Sequence, residues 1–217
     1  RDPGRTTVQA AWYTAGAAPV TRAPLPGDRL GSALLPLRVA GATEGQRLVI
    51  AGAEQLVVGV RAVFPVDPRP PGMRRWTEAG DGLLEGTARN LSAVVRRTES
   101  ECRIRHGLLG AALDALFPYP VKGVTVRYDA AGRVMAAVDR GRLGLVPASV
   151  LGDGELRALA FALVLLTGPG VLAVDAAEVP DAYQLLTVLA EDVDRGLDRR
   201  QLCELLALAD RMRRRGH

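Results

Sequence analysis

Leu151-Gly152-Asp153-Gly154-Glu155-Leu156-Arg157, followed by Ala158-Leu159-Ala160-Phe161-Ala162-Leu163 and, past Gly168-Pro169-Gly170, by Val171-Leu172-Ala173-Val174-Asp175, is the stretch on which the reading of this chain turns. A glycine-containing turn opens an apolar helix predicted from about Glu155 to Thr167. A tight break ends the helix, and a short apolar run then ends in a carboxylate. Glycines let a backbone approach a ligand closely, and the free amides of a helix start carry partial positive charge, which favours a phosphate there. A strand such as Val171 to Asp175 is expected to be buried on both faces of a sheet flanked by helices. Its acid would then lie at the carboxyl edge, where ligands sit. The expected fold class is α/β.

Working outward, residues on either side read as short elements. Thr7 to Tyr13 is a strand candidate, Pro19 to Pro26 a surface loop, and Leu34 to Val39, Arg47 to Ala51 and Gln55 to Phe64 an antiparallel meander closed by Pro65 to Pro71. Asn90 or Ser92 caps one long helix reaching about Phe117, with Leu91, Val94, Val95, Cys102, Leu108, Leu109, Ala112, Leu113 and Leu116 forming its apolar stripe. Val121 to Tyr128 and Arg133 to Asp139 alternate around Asp129-Ala130-Ala131-Gly132, which has the turn residues of a hairpin. Helices over Asp181 to Arg195 and Asp198 to Arg214 complete the reading. Two regions result: an antiparallel β lobe over 1–71, and a helical lobe over 72–217 that carries the glycine turn and the acidic strand end.

Composition limits the function classes. A chain of 217 residues that is 48% hydrophobic can bury a substantial core, and its apolar load is aliphatic because aromatics are only 4%. No run resembles a membrane span, since Leu156 to Val174 is interrupted by Arg157 and the Gly-Pro-Gly break. No signal peptide is visible. Cys102 and Cys203 stand far apart inside helical patterns, which argues against a metal or disulfide framework and suits a reducing cytoplasm. Net charge is +4, and arginines cluster at 74–75, 96–97, 103–105, 199–200 and 211–215. That balance favours an anionic partner, DNA among the candidates, although no DNA-reading motif accompanies it.

Taken in order, the Gly152-Asp153-Gly154-Glu155 turn, the helix, the break and the strand ending in Asp175 resemble the signature motif, signature helix and Walker B strand of ABC-type ATPase heads of the RecF and SMC branch. The resemblance implies a P-loop NTPase-like head that binds ATP and magnesium. Gly152, Asp153, Gly154 and Glu155 would contact the nucleotide of a second subunit or homodimer mate, and Asp175 would hold magnesium through water. In active members of the family a glutamate follows the strand acid; here Ala176 does, and a methyl group neither orients water nor accepts a proton. Glu178 is the nearest substitute as the catalytic acid.

The glycine-rich phosphate loop ending in Lys-Ser or Lys-Thr is absent, and the one lysine, Lys122, lies in a strand-like run. The chain opens without Met and stops at His217, so a phosphate loop before Arg1 is one expectation. A head with slow or lost hydrolysis acting in DNA maintenance or defence, and a catalytically inert module that keeps the fold and binds a protein partner, both remain open at this level.

Overall fold

Residues 123–139 fold as their alternation and turn chemistry dictate. In the computed structural model, which describes residues 7–12, 21–26, 42–48, 50–52, 63–80, 82–167, 170–173 and 186–214, they form an antiparallel hairpin with Thr125 opposite Ala137. Its turn is built by Asp129. One carboxylate oxygen accepts the amides of Ala131 and Arg133, both at 2.9 Å, and the other accepts the Arg133 guanidinium at 2.8 Å, while Gly132 takes φ 78°. Desolvation pushes the Asp129 carboxyl up, but the Arg133 side chain and the two backbone amides outweigh it and hold the group below its ordinary value.

A depressed folded-state pKa means that the turn's stabilisation is present above the ordinary carboxylate value and is lost as pH falls through the depressed one. An NMR titration of Asp129 is therefore expected to show a midpoint below that of an aspartate in an unfolded peptide. A midpoint at the ordinary value would contradict the turn geometry.

The described residues divide into two compact units. In the first, β1 (Thr7–Trp12) pairs antiparallel with β2 (Thr21–Pro26), with Ala10 opposite Ala23. The Pro19 to Pro26 stretch is thus a strand over Thr21–Pro26 and not a loop. Proline is tolerated because a two-stranded ribbon has only edges. The second difference is α1, a helix over residues 44–48 and 50–52 where a strand from Arg47 to Ala51 is expected. A capping box explains it: Gln46 Oε1 accepts the Thr43 amide at 3.2 Å and Thr43 Oγ1 accepts the Gln46 amide at 3.2 Å. Positions 34–39 and 53–62 lie outside the described residues.

The second unit is mixed α/β. It holds β3 (Val63–Val66), α2 (Pro70–Met73), α3 (Leu91–Glu101), α4 (Arg103–Leu116), β4 (Gly123–Tyr128), β5 (Val134–Asp139), β6 (Leu145–Pro147), α5 (Asp153–Leu166), β7 (Thr187–Ala190) and α6 (Arg199–Arg214). One sheet is antiparallel, β4-β5-β6, and a second pair, β3-β7, is parallel with Phe64 beside Val188. Central β5 is buried along Val134 to Val138 and carries α3 on it, fixed where Ser92 Oγ accepts the Ala136 amide at 2.9 Å. The helix expected as one piece from Asn90 to Phe117 breaks at Cys102, whose φ of −148° is not helical.

Helix α5 lies at the centre, packed against α2, α4 and α6, with Leu156, Leu159 and Leu163 almost wholly excluded from solvent. A helix apolar on all sides has to be a core helix. α6 begins with a second capping box, in which the Asp198 amide meets Gln201 Oε1 and the Gln201 amide meets Asp198 Oδ1. Gln201 Nε2 and the Arg200 guanidinium also donate to the carbonyls of Leu116, Ala115 and Phe117. These are orphan acceptors at the end of α4, so the start of one helix completes the end of another. The helix expected over Asp181 to Arg195 is instead strand β7 and a series of turns from Thr187 onward. A four-residue apolar run does not show its period, and pairing with β3 settles it.

Candidate ligand cleft at the first turn of helix α5

The four residues of the glycine turn all meet at the start of α5. Gly152 is the N-cap at φ −62°, ψ 156°, a conformation open to any residue. Its amide donates to Glu155 Oε2 at 3.0 Å, half of a capping box whose other half glycine has no side chain to supply. The second Glu155 oxygen pairs with Arg140, whose nearly buried guanidinium also donates to the Tyr119 carbonyl at 2.7 Å and lies over the Phe117 ring. Asp153 pairs with Arg74 at 2.5 Å, and the same Arg74 nitrogen donates to the Leu151 carbonyl at 2.8 Å. Two acids in the first turn offset the helix dipole, and two arginines fix them.

Gly154 is the position that no other residue can occupy. A Cβ there would fall 2.9 Å from the Gly196 carbonyl carbon and closer still to its oxygen, so the turn after β7 packs directly on the α5 backbone. Gly196 itself has φ 79° and a Cβ on it would lie 3.3 Å from Gly154 N, so the contact is glycine on glycine.

Arg157, one turn further on, ties the same elements together. It is 3% exposed. Nη1 donates to the Pro68 carbonyl at 2.8 Å, while Nη2 donates to the carbonyls of Glu191 and Asp192 at 3.2 and 2.8 Å. Asp67 lies 3.6 Å away and the Phe161 ring is beneath the guanidinium. Pro68 follows β3 and Glu191 follows β7, so one side chain joins α5 to the carboxyl ends of both parallel strands. That edge is where open α/β sheets place ligands.

Two adjoining hollows open there. One is lined by Asp67, Glu85 and Glu191 beside the ends of β3 and β7. The other, about 870 Å³, lies between the loop around α2 and the first turn of α5. Among the described residues no group of three or more His, Cys, Asp or Glu side chains is placed to hold a metal.

The strand toward Asp175 is described as far as Ala173, and within it Leu172 bridges Leu84 in parallel, with Ala173 N donating to the Leu84 carbonyl at 3.0 Å. Asp175, Ala176 and Glu178 lie outside the described residues. Glu191 and Asp192 escaped the reading of the sequence. Their signal was present, because Thr187-Val188-Leu189-Ala190-Glu191-Asp192 is a second short apolar run ending in acid, followed by a Gly196 turn. Asp192 takes φ 47°, a left-handed conformation that aspartate tolerates better than most residues.

Other residues keep structural roles. His106 is half-buried with Nε2 2.6 Å from the Val124 carbonyl. Cys203 is exposed, whereas Cys102 is half-buried at the α3–α4 break. Lys122 is exposed, and its backbone amide joins the hairpin by donating to the Asp139 carbonyl. Among the described residues no helix is long and apolar enough to cross a membrane. No protein-family model, curated protein or solved structure matches the chain.

Proposed function

We propose that this chain is the signature-bearing part of an ATP-binding head of the ABC type, of the RecF and SMC-like kind, in which the first turn of α5 meets the phosphates of ATP with magnesium. The observation that carries the reading is the seat of the Gly152 to Glu155 turn. It opens the core helix against the carboxyl edge of a parallel strand pair, and Gly154 is stripped of any side chain there. Helix-start amides beside a strand edge are a favourable environment for a phosphate. Hydrolysis is slow or lost because Ala176 stands where such heads carry glutamate. The head pairs with a second subunit or a copy of itself, and DNA is the macromolecular partner that its arginine content favours. The compartment is the cytoplasm.

Two strand ends offer the magnesium carboxylate. Asp175 is the acid that the resemblance selects. Glu191 and Asp192 are favoured by a specific observation: Arg157 fixes their backbone to the same helix that bears the glycine turn.

The test is magnesium-dependent ATP binding and turnover by the natural full-length polypeptide. Weak binding with slow turnover is expected. If Asp175 holds the ion, Asp175→Asn abolishes the magnesium dependence and Asp192→Asn spares it; the reverse result assigns the ion to the end of β7. Rapid hydrolysis that survives Asp175→Ala and Asp192→Ala together would overturn the proposal. A partner-binding module without nucleotide is the second reading. It is favoured by apolar Leu143 and Val150, 75% and 68% exposed close in sequence to the glycine turn.

A further inference from the structure

The larger hollow has a charge pattern that the glycine turn alone does not account for. Its wall carries Arg69, Arg75, Arg89, Arg157 and Arg195 against two carboxylates, Asp67 and Asp153. Three of those arginines have solvent-exposed partners: Arg69 meets Asp67 at 3.3 Å, Arg195 meets Asp192 at 3.9 Å, and Arg89 pairs closely with Glu85, with the three arginine side chains 71%, 73% and 70% exposed. Exposed ion pairs of this kind hold little energy, on the order of 0–1 kcal/mol, so they yield readily to a better anion. Arg75 has no ion pair among the described residues.

The cleft's size, about 870 Å³, is that of a small-ligand site and exceeds what a single inorganic anion fills. Guanidinium groups match phosphate oxygens in a bidentate way, and several of them around one hollow suit a chain of phosphoryl groups better than a lone carboxylate.

We infer that this arginine-lined cleft, between the loop around α2 and the first turn of α5, binds an oligophosphate anion within a single copy of the chain. The inference rests on the ATP reading in using the same helix start, but it needs neither a second subunit nor a nucleoside. The arginines come from five segments: the loop after β3, the end of α2, the 85–89 turn, α5 and the turn after β7. Arg157 and the Gly154–Gly196 contact hold the last of these against α5.

The experiment is calorimetric titration of the protein with inorganic tripolyphosphate, then with ATP and magnesium, and finally with a single-stranded oligonucleotide. One saturable site is expected, weakened about tenfold or more in Arg75→Ser/Arg89→Ser, as the loss of two charge-assisted contacts implies. The same titration of Arg103→Ser/Arg211→Ser, exposed positions of α4 and α6 outside the cleft lining, is expected to change less than about twofold, since distant charges are screened. Circular dichroism of each variant checks the fold.

Absence of saturation, or equal weakening in both double variants, would overturn the site in favour of diffuse charge. An oligonucleotide that binds tightly through the cleft arginines, with tripolyphosphate failing to compete, would overturn it in favour of a nucleic-acid surface. The two readings separate cleanly. Tripolyphosphate binding without preference for ATP and magnesium sinks the ATP reading alone, whereas ATP binding by the full-length protein that ignores Arg75→Ser/Arg89→Ser sinks the cleft alone.

Discussion

Gly154→Ala is expected to destabilise the second unit strongly, by about 3 kcal/mol or more, which for a chain of this size lowers the unfolding midpoint by roughly 6–12 °C. The reason is geometric. The added Cβ would meet backbone, the Gly196 carbonyl, and not the yielding tip of a side chain. Either α5 or the turn after β7 must move, and Arg157 links both to the loop after β3, so the displacement spreads to Glu191 and Pro68.

Gly152→Ala, two residues earlier, is the matched control. Its Cβ would lie 3.7 Å from Glu155 Oε2, an ordinary contact, and its backbone is already extended. Thermal unfolding of the two variants side by side therefore separates a general intolerance of the turn from the specific glycine contact. Equal stability of the two would contradict the packing described. Loss of phosphate binding in Gly154→Ala but not in Gly152→Ala is the expected functional counterpart.

Arg157→Met is expected to lower stability by about 3 kcal/mol. Hydrogen bonds from a charged donor contribute on the order of 1.5–3 kcal/mol each, and the substitution leaves the carbonyls of Pro68, Glu191 and Asp192 without that donor. The apolar replacement recovers part of the loss by packing on Phe161, which keeps the figure below the sum of three bonds. Arg157→Lys is expected to rescue little. A single ammonium on a flexible stem does not span acceptors on two loops as a planar guanidinium does.

Hydrogen exchange gives the sharper measure, because it reports where the structure opens. Faster exchange in both variants is expected around residues 191–197 and 67–69, with the β4–β5 hairpin unchanged. Exchange that rises uniformly across the unit, or not at all, would show that Arg157 is an ordinary core residue and does not brace the cleft.

Much of the local structure was legible without coordinates. The hairpin followed from alternation on either side of Asp129 to Gly132, and α5 from an apolar run opened by glycine and acid. The start of α6 was equally readable, because Asp198 and Gln201 have capping-box spacing. That same spacing stands at Thr43 and Gln46, where it starts α1 although the run from Arg47 to Ala51 reads as a strand. Cys102 illustrates a different limit. Its neighbours on both sides are good helix residues, and the break becomes visible only in the fold, where α3 packs on β5 and α4 on α5.

The sequence by itself determined the elements whose causes lie within a turn or two: caps, hairpin turns, the core character of α5 and the glycines available for close approach. It also carried the two apolar runs that end in acid, without ranking them. The tertiary structure decided the rest, because those facts depend on residues far apart in the chain. Parallel pairing with Val63–Val66 made Thr187–Ala190 a strand and set Glu191 and Asp192 at its carboxyl end. The approach of Gly196 separated Gly154, which must be glycine, from Gly152, which need not be. The burial of Arg157 made it the strut of the cleft, since a guanidinium excluded from water must find its acceptors in the fold.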